Sequence, residues 1–408
     1  MVPLTGALRA TGDPWEPFQL HDPSGQAVQP VSVSVFLNDL QAAGRSAATQ
    51  RSYGMDLLRW FRFCWAVGIP WEQATRAEAR DFSRWLQLAS KPRRLAASAG
   101  SGRGRGSLPG TPNQVTGKPS PGVQYAAATA AHCETVLRHF YDFHLEAGTG
   151  PMVNPFPLAR DRRGRGANAH RSPMEQARNQ RSGLFRPVPP QRIPRSIPDE
   201  KFSELFAALA SHRDRALVAF WISTGARASE LLGARQGDAD PGQQLITVIR
   251  KGTRALQQLP AAPDAFVWLR LYQAQMHQLV LVGRDEPLWW TLRRPFRALT
   301  YHAARAMFIR ANSVLGANWT LHDLRHSAAY RMARDPAMPL ADVQWILGHA
   351  HLSTTQLYLA APAQDMIASI LAHHARVSGP AGRPGTEAGS PPRYRPESLD
   401  VLFRRDQP

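Results

Sequence analysis

Two breaks constrain this chain more than any other feature. Apolar residues recur at helical spacing over most of its 408 residues, and stretches rich in Gly, Pro and Arg interrupt that pattern at 91–120 and 159–195. A helical pattern that stops and restarts across such segments predicts separate folded blocks joined by irregular chain. The first block covers 31–150, with the break at 91–120 as an insertion, and the second covers 196–375. Residues 1–30 and the Pro-, Gly- and Arg-rich 376–408 read as loosely ordered ends, and 151–195 reads as a basic linker. Only "PESLDVLFRR" in the tail has folding potential.

Within the first block, Tyr53, Leu57, Phe61 and Trp65 repeat every four residues and predict one apolar helical face. Ser46 is its expected N-cap, and Thr75 with Glu78 has the spacing of a capping box. The second block is mixed. "PDEKFSELFAALASHRDRALVAFWIST" is helical, whereas "QQLITVIRKGTRALQQLP" reads as strand, turn and strand around Lys251-Gly252-Thr253. Helices are expected near 262–282, 299–314, 321–334, 340–347 and 354–371. The fold class is therefore mainly α with a small antiparallel β-sheet.

Charge narrows the choice of partner. The formal net charge is +18, which points to a polyanion: nucleic acid or an anionic membrane surface. The break at 91–120 holds six basic residues and no acid, and 159–195 holds ten arginines against Asp161 and Glu175. A solvated linker and an arm that follows a phosphate backbone are both compatible with that composition. No apolar run reaches the roughly 18 residues of a membrane span, and the N-terminus has no secretory pattern, so the expectation is a cytoplasmic protein without a membrane partner. Cys64 and Cys133 sit inside apolar helical patterns and read as core residues.

Four stretches could carry chemistry. In "TLHDLRHSAAYRM", Thr320 and Asp323 predict a helix start near Leu321. There His322 and Arg325 share a face with the unpaired N–H groups of the first turn, a setting that suits an anion. A zinc reading of His322, His326, His349 and His351 is opposed by Asp323 standing where a zinc-protease helix has its glutamate, and by an arginine beside His326. In "WISTGARASELLGAR", Arg227 follows a glycine stop and projects from a corner, with Glu230 placed to orient it. Only four of the 49 basic residues are lysines, so Lys251 at a turn stands out as a side chain able to release a proton. In "ILGHAHLSTTQLYLA", Gly348 ends a helix, His349 follows, and Ser353 with Gln356 suggests another capping box. Tyr358 sits nine residues after His349, and its spacing alone favours a core aromatic.

Taken in order, "TGARASEL", "IRKGTR", "HDLRH" and "LGHAHLSTTQLY" resemble the motifs of the tyrosine recombinase (phage integrase) family. The resemblance covers about 196–375, and 31–150 is similar to that family's helical core-binding (SAM-like) domain. It implies a two-domain C-shaped clamp on double-stranded DNA, assembled as a homo-tetramer on two sites, with accessory DNA-bending or directionality factors as possible partners, in the cytoplasm at the nucleoid. It also implies that Arg227, Lys251, His322, Arg325, His349 and Tyr358 are catalytic, with Glu230 behind them. Tyr358 would attack a phosphodiester and hold a 3′-phosphotyrosyl intermediate, with no metal and no cofactor. The implied function is site-specific recombination, as the integrase of a mobile element. The alternatives are a silent architectural DNA-binding protein on the same fold and a nicking-resealing enzyme like a type IB topoisomerase. The family often has a further Lys-x-Arg after its lysine, where this chain runs "TRALQQLP", which leaves the hairpin's DNA contacts open.

Overall fold

Residues 5–25, 32–91, 110–159, 182–189, 195–359 and 370–376 are described by the structure, a computed structural model. The chain divides into two compact units, one of residues 1–192 with 316–318 and one of 193–315 with 319–408.

The first unit opens with an antiparallel pair, β1 (Ala7–Ala10) and β2 (Phe18–His21), in which Leu8 stands opposite Leu20. Four helices follow: α1 (Ser32–Ala42), α2 (Ala47–Val67), α3 (Arg76–Leu88) and α4 (Ala127–Glu146). Ser46 caps α2 by accepting from the Thr49 N–H, and Thr75 and Glu78 form the expected box at the start of α3. Leu57 and Phe61 lie fully inside, flanked by the partly buried Tyr53 and Trp65. The centre is aromatic. Trp60 meets Phe82 edge-on at 5.1 Å and Phe156 at 5.3 Å. Its indole N–H donates to the Tyr141 hydroxyl, which donates to the Trp71 carbonyl, both at 2.9 Å. Each such ring removed from water stabilises the unit by about 1.5–3 kcal/mol. Cys64 and Cys133 are buried free thiols, and burial pushes both above the usual thiol range.

The structure differs from the sequence expectation in three places here. Residues 5–25 are not loose: β2 buries Leu20, and Leu8 packs where Gly54 leaves α2 bare, since a Cβ there would lie 2.8 Å from Leu8. Strands of four residues are too short to stand out between prolines and glycines. Residues 110–120 are also ordered. Pro112 pairs with Pro119, and the Asn113 carboxamide oxygen accepts from the N–H groups of Val115 and Thr116. The expected linker begins later than 151, because Phe156 is fully buried and Leu158 pairs with Gly183. Residues 92–109, 160–181, 190–194 and 377–408, including "ESLDVLF", lie outside the described residues.

The second unit is built on α6 (His212–Thr224), which follows α5 (Asp199–Ala207). Residues Ala216–Trp221 of α6 are buried without a break, as expected of a helix that is apolar all round. Around it stand α7 (Ala228–Leu232), the antiparallel sheet β3 (Ala239–Asp240), β4 (Leu245–Ile249) and β5 (Leu256–Pro260) in that order, and then α8 (Pro263–Met276) and α9 (Tyr301–Val314). The chain continues through α10 (Leu321–Arg334), α11 (Leu340–Leu347) and α12 (Leu352–Gln356). Within the helix expected over 354–371, the described residues give α12, which ends at Gln356, and helix again from 370; residues 360–369 lie outside the described residues. Among the described residues no helix is long and apolar enough to cross a membrane.

The Trp60–Tyr141–Trp71 chain yields a direct test. Tyr141→Phe keeps the volume but leaves one buried indole N–H without its acceptor and one carbonyl without its donor. It should cost about 1–3 kcal/mol, read as a lower urea midpoint. An unchanged midpoint would show that the hydroxyl is dispensable.

Candidate active site

Two glycine-ended helices frame the site. Gly225 closes α6 at φ 63° and Gly348 closes α11 at φ 61°, both left-handed. That conformation favours glycine. At Gly225 a Cβ would also lie 2.8 Å from Leu347, so this turn sits hard against the end of α11. Each such ending leaves carbonyl groups without helical partners, and here buried arginines take them.

Arg325, on the first turns of α10, is only 3% exposed. Its guanidinium donates to the Gly225 carbonyl at 2.7 Å, to the Leu347 carbonyl at 2.6 Å and to His349 Nε2 at 3.0 Å. One side chain therefore ties the ends of α6 and α11 together. Burial, helped by the charge of Arg227, lowers its pKa to about 10, still well above neutrality. The helix bearing it starts where the sequence indicates, since the Thr320 N–H and hydroxyl both donate to the Asp323 carboxylate.

Arg227 caps α7 and is partly exposed. Its backbone N–H donates to Glu230 at 2.9 Å and its guanidinium at 2.8 Å. Glu230 is almost fully buried and also receives the Lys251 N–H at 2.9 Å and Arg250 at 3.0 Å. Burial alone would raise this carboxyl. The hydrogen bonds from Lys251 and Arg227 and the charge of Arg250 outweigh it and hold the group below the usual range. Removing one partner of such a buried pair costs about 3–5 kcal/mol. Glu230 thus holds Arg227 through both backbone and side chain and fixes the root of Lys251 as well. Lys251 itself is exposed in the turn between β4 and β5.

His349 is half-buried, and its pKa is pushed down to about 4 by burial and by Arg325. It is neutral, so Nε2 accepts from Arg325 while Nδ1 carries the proton and donates to the Thr355 hydroxyl at 2.9 Å. Tyr358 stacks on the His349 ring, with centroids 6.2 Å apart and planes at 9°. It lies beyond α12, which is capped by His351; the Ser353–Gln356 box does not form. Tyr358 is 6% exposed and packs against Ala329, Val343 and Leu347. The core and nucleophile readings of this residue are therefore not exclusive. Burial raises its pKa, and Arg325 and Arg227 pull against that rise. The hydroxyl sits 2.8 Å from His326 Nδ1. His322 is exposed, with its ring 4.3 Å from that of His326.

All six expected residues belong to this one unit. Arg227, Arg325, His349 and Tyr358 converge directly, Lys251 joins through its backbone, and His322 stands one turn along α10. Three contributors went unrecognised in the sequence. Arg250 is 4% exposed and donates to Glu230, Gln257 and the Ile346 carbonyl. Its signal was the alternation of β4: Ile246 and Val248 point inward, and Arg250 is next on that face. His326 was weighed only as a zinc ligand. Thr355, fully buried, appeared only as part of a motif. Among the described residues no group of three or more His, Cys, Asp or Glu could hold a metal ion.

Comparison with known proteins identifies the family. Residues 195–365 match the phage integrase family model, and 33–99 match the phage integrase N-terminal SAM-like domain. The chain is 29% identical over 194 residues to tyrosine recombinase XerD of Neisseria meningitidis serogroup B, covering 46% of this chain and 65% of that one. It is 30% identical over 200 residues to tyrosine recombinase XerC of Bacillus licheniformis, covering 47% and 64%. The chain thus spans less than two thirds of either relative. Two solved structures share its fold. One is the Tn1549 transposon integrase in complex with transposon right end DNA (TM-score 0.53, 12% identity, 84% of this chain and 99% of that one). The other is the XerH site-specific recombinase bound to palindromic difH substrate (0.51, 16%, 84% and 85%). With both family models matched in order, and with the four motifs meeting in one site, the chain belongs to the phage integrase family of tyrosine recombinases.

Proposed function

We propose that this protein is a site-specific DNA recombinase that cuts and rejoins strands through a covalent 3′-phosphotyrosyl intermediate. The observation that carries the reading is the placement of Tyr358 against His349 and within the field of Arg325 and Arg227, on one polypeptide. Tyr358 Oη attacks the phosphorus, an O–P bond forms and the bond to the 5′ oxygen breaks. Arg227 and Arg325 fork onto the nonbridging oxygens and stabilise the charge of the pentacovalent state. Lys251, rooted on Glu230, protonates the departing 5′ oxygen. His322 lies at the same helix start. His349 adds a hydrogen bond to the phosphate in the tautomer that carries its proton on Nε2, which gives up the bond accepted from Arg325.

The linkage to Tyr358 conserves the energy of the broken ester, so rejoining needs no nucleotide and the site residues present call on no cofactor. Double-stranded DNA is the partner, and strand exchange between two sites calls for four copies. The finer reading, integration of a mobile element, rests on the motif resemblance. Attachment repeats flanking the gene would support it.

Tyr358→Phe should bind duplex as tightly as the native protein and form no covalent adduct on nicked suicide duplexes with randomised arms, resolved on a denaturing gel. An adduct that survives the substitution would remove Tyr358 from the chemistry. A native protein that binds duplex but never forms an adduct would make this a silent DNA-binding protein. Cleavage should persist in EDTA, and loss on chelation would revive the zinc reading.

His349 gives a pH dependence with a definite sign. Its folded pKa is depressed to about 4 from the ordinary histidine value of 6.5, so between those values the unfolded chain binds a proton that the folded one rejects. Stability should fall as pH drops from about 6.5 to about 4. His349→Gln should flatten that part of the urea-midpoint profile relative to native, and identical profiles would count against the assignment.

A further inference from the structure

We infer that His326, rather than His322, takes the proton from Tyr358 during attack. This rests on the reading of Tyr358 as the nucleophile and adds a catalytic residue to it. The phenol is buried at the junction of α10, α11 and α12 and holds its proton at neutral pH. That proton must leave as the O–P bond forms. Among the described residues, the atom in hydrogen-bond contact with the hydroxyl is His326 Nδ1, at 2.8 Å. The two rings lie 5.7 Å apart and are inclined by 45°, which brings nitrogen and oxygen together rather than stacking the rings. A protonated phenol donates, so Nδ1 presents its lone pair and the imidazole carries its own proton on Nε2.

His349 does not serve in this role. Its ring lies flat against Tyr358, and its two nitrogens face Arg325 and Thr355. Glu230 is committed to two arginines and the Lys251 amide. His322 is one turn back on α10 and packs edge-on against His326, so it reaches the phenol only through that ring. It is exposed, which places it to pass the proton on to solvent. The proton balance is closed. His326 gains the phenolic proton and becomes an imidazolium, Lys251 gives one proton to the 5′ oxygen, and the rejoining step reverses both transfers. The imidazolium forms while the tyrosine gives up its charge to phosphorus, and the arginines hold the added negative charge on the phosphoryl oxygens.

A structural role is separable from proton transfer. His326→Asn places a carboxamide oxygen close to the position of Nδ1, so it can still accept from the phenol but cannot carry the proton away. Single-turnover cleavage is measured with the full-length protein on a suicide duplex recovered from the randomised pool. His326→Asn is expected to slow it by about 100-fold or more, the usual span of general base catalysis, with duplex affinity within about threefold of native. His326→Gln is the second variant, and retained affinity shows that either is folded. Replacing Tyr358 by a difluorinated tyrosine, a more acidic phenol, should then recover at least about tenfold of the loss. His322→Gln should show no such recovery. A His326→Asn enzyme that cleaves within about threefold of native, or a loss that the acidic phenol leaves unchanged, overturns the inference. In either case the adduct formed by the native protein would still uphold the recombinase reading. No adduct from the native protein would defeat both.

Discussion

Three buried or half-buried guanidinium groups, two of them paired with one carboxylate, set the terms for everything else in the second unit. Taking a charge out of water costs several kcal/mol unless partners replace the lost solvation. Glu230 supplies one set of partners, to Arg227 and Arg250. The rest come from peptide carbonyls at the ends of α6 and α11, where the helix dipole is negative. This explains why both helices stop on a left-handed glycine. Such a turn leaves the Gly225, Ile346 and Leu347 oxygens pointing at arginine rather than at water. The site is therefore a joint of the fold as well as a place for chemistry.

The same joint couples elements that are far apart in sequence. Arg250 joins the β4–β5 hairpin to α11, and Gln257 adds a second tie through the Trp345 carbonyl. Lys251 follows Arg250 directly. The side chain read as the proton donor and the segment carrying His349 and Tyr358 are thus held from neighbouring backbone positions, although about a hundred residues of sequence separate them. Precise placement of this kind is where catalytic power resides, since small displacements of a reacting group lose much of the rate.

Much of this was legible beforehand, for physical reasons. Helix caps depend on local side chains, so Ser46, Thr75 and Thr320 marked helix starts correctly. Glycine stops depend on backbone geometry, so Gly225 and Gly348 marked helix ends. The motif residues were legible as a group because their order along the chain matched a family pattern. What escaped notice depended on tertiary packing. Arg250 fell on the inward face of β4, but a charged residue at a strand end reads as solvated until its buried partner is known. His326 was considered only for a zinc site, and set aside, because its spacing from His322 was visible and its contact with Tyr358, 32 residues away, was not. The Ser353–Gln356 box satisfied the local rule, yet α12 starts earlier, at Leu352, and nothing local in the sequence marks that start. The opening hairpin was hidden because its strands are stabilised by α1 and α2 rather than by their own length.

The carbonyl oxygens that occupy Arg325 have a further meaning. They hold the guanidinium much as the oxygens of a nucleic-acid backbone would. In the proposed reaction an incoming phosphodiester would meet a cation already solvated by the protein instead of by water, so one set of oxygens would exchange for another without stripping a hydrated charge. Whatever loosens the ends of α6 and α11 would also free that guanidinium. Phosphate binding at Arg325 would then be coupled to slackening of the two helix ends that it now ties.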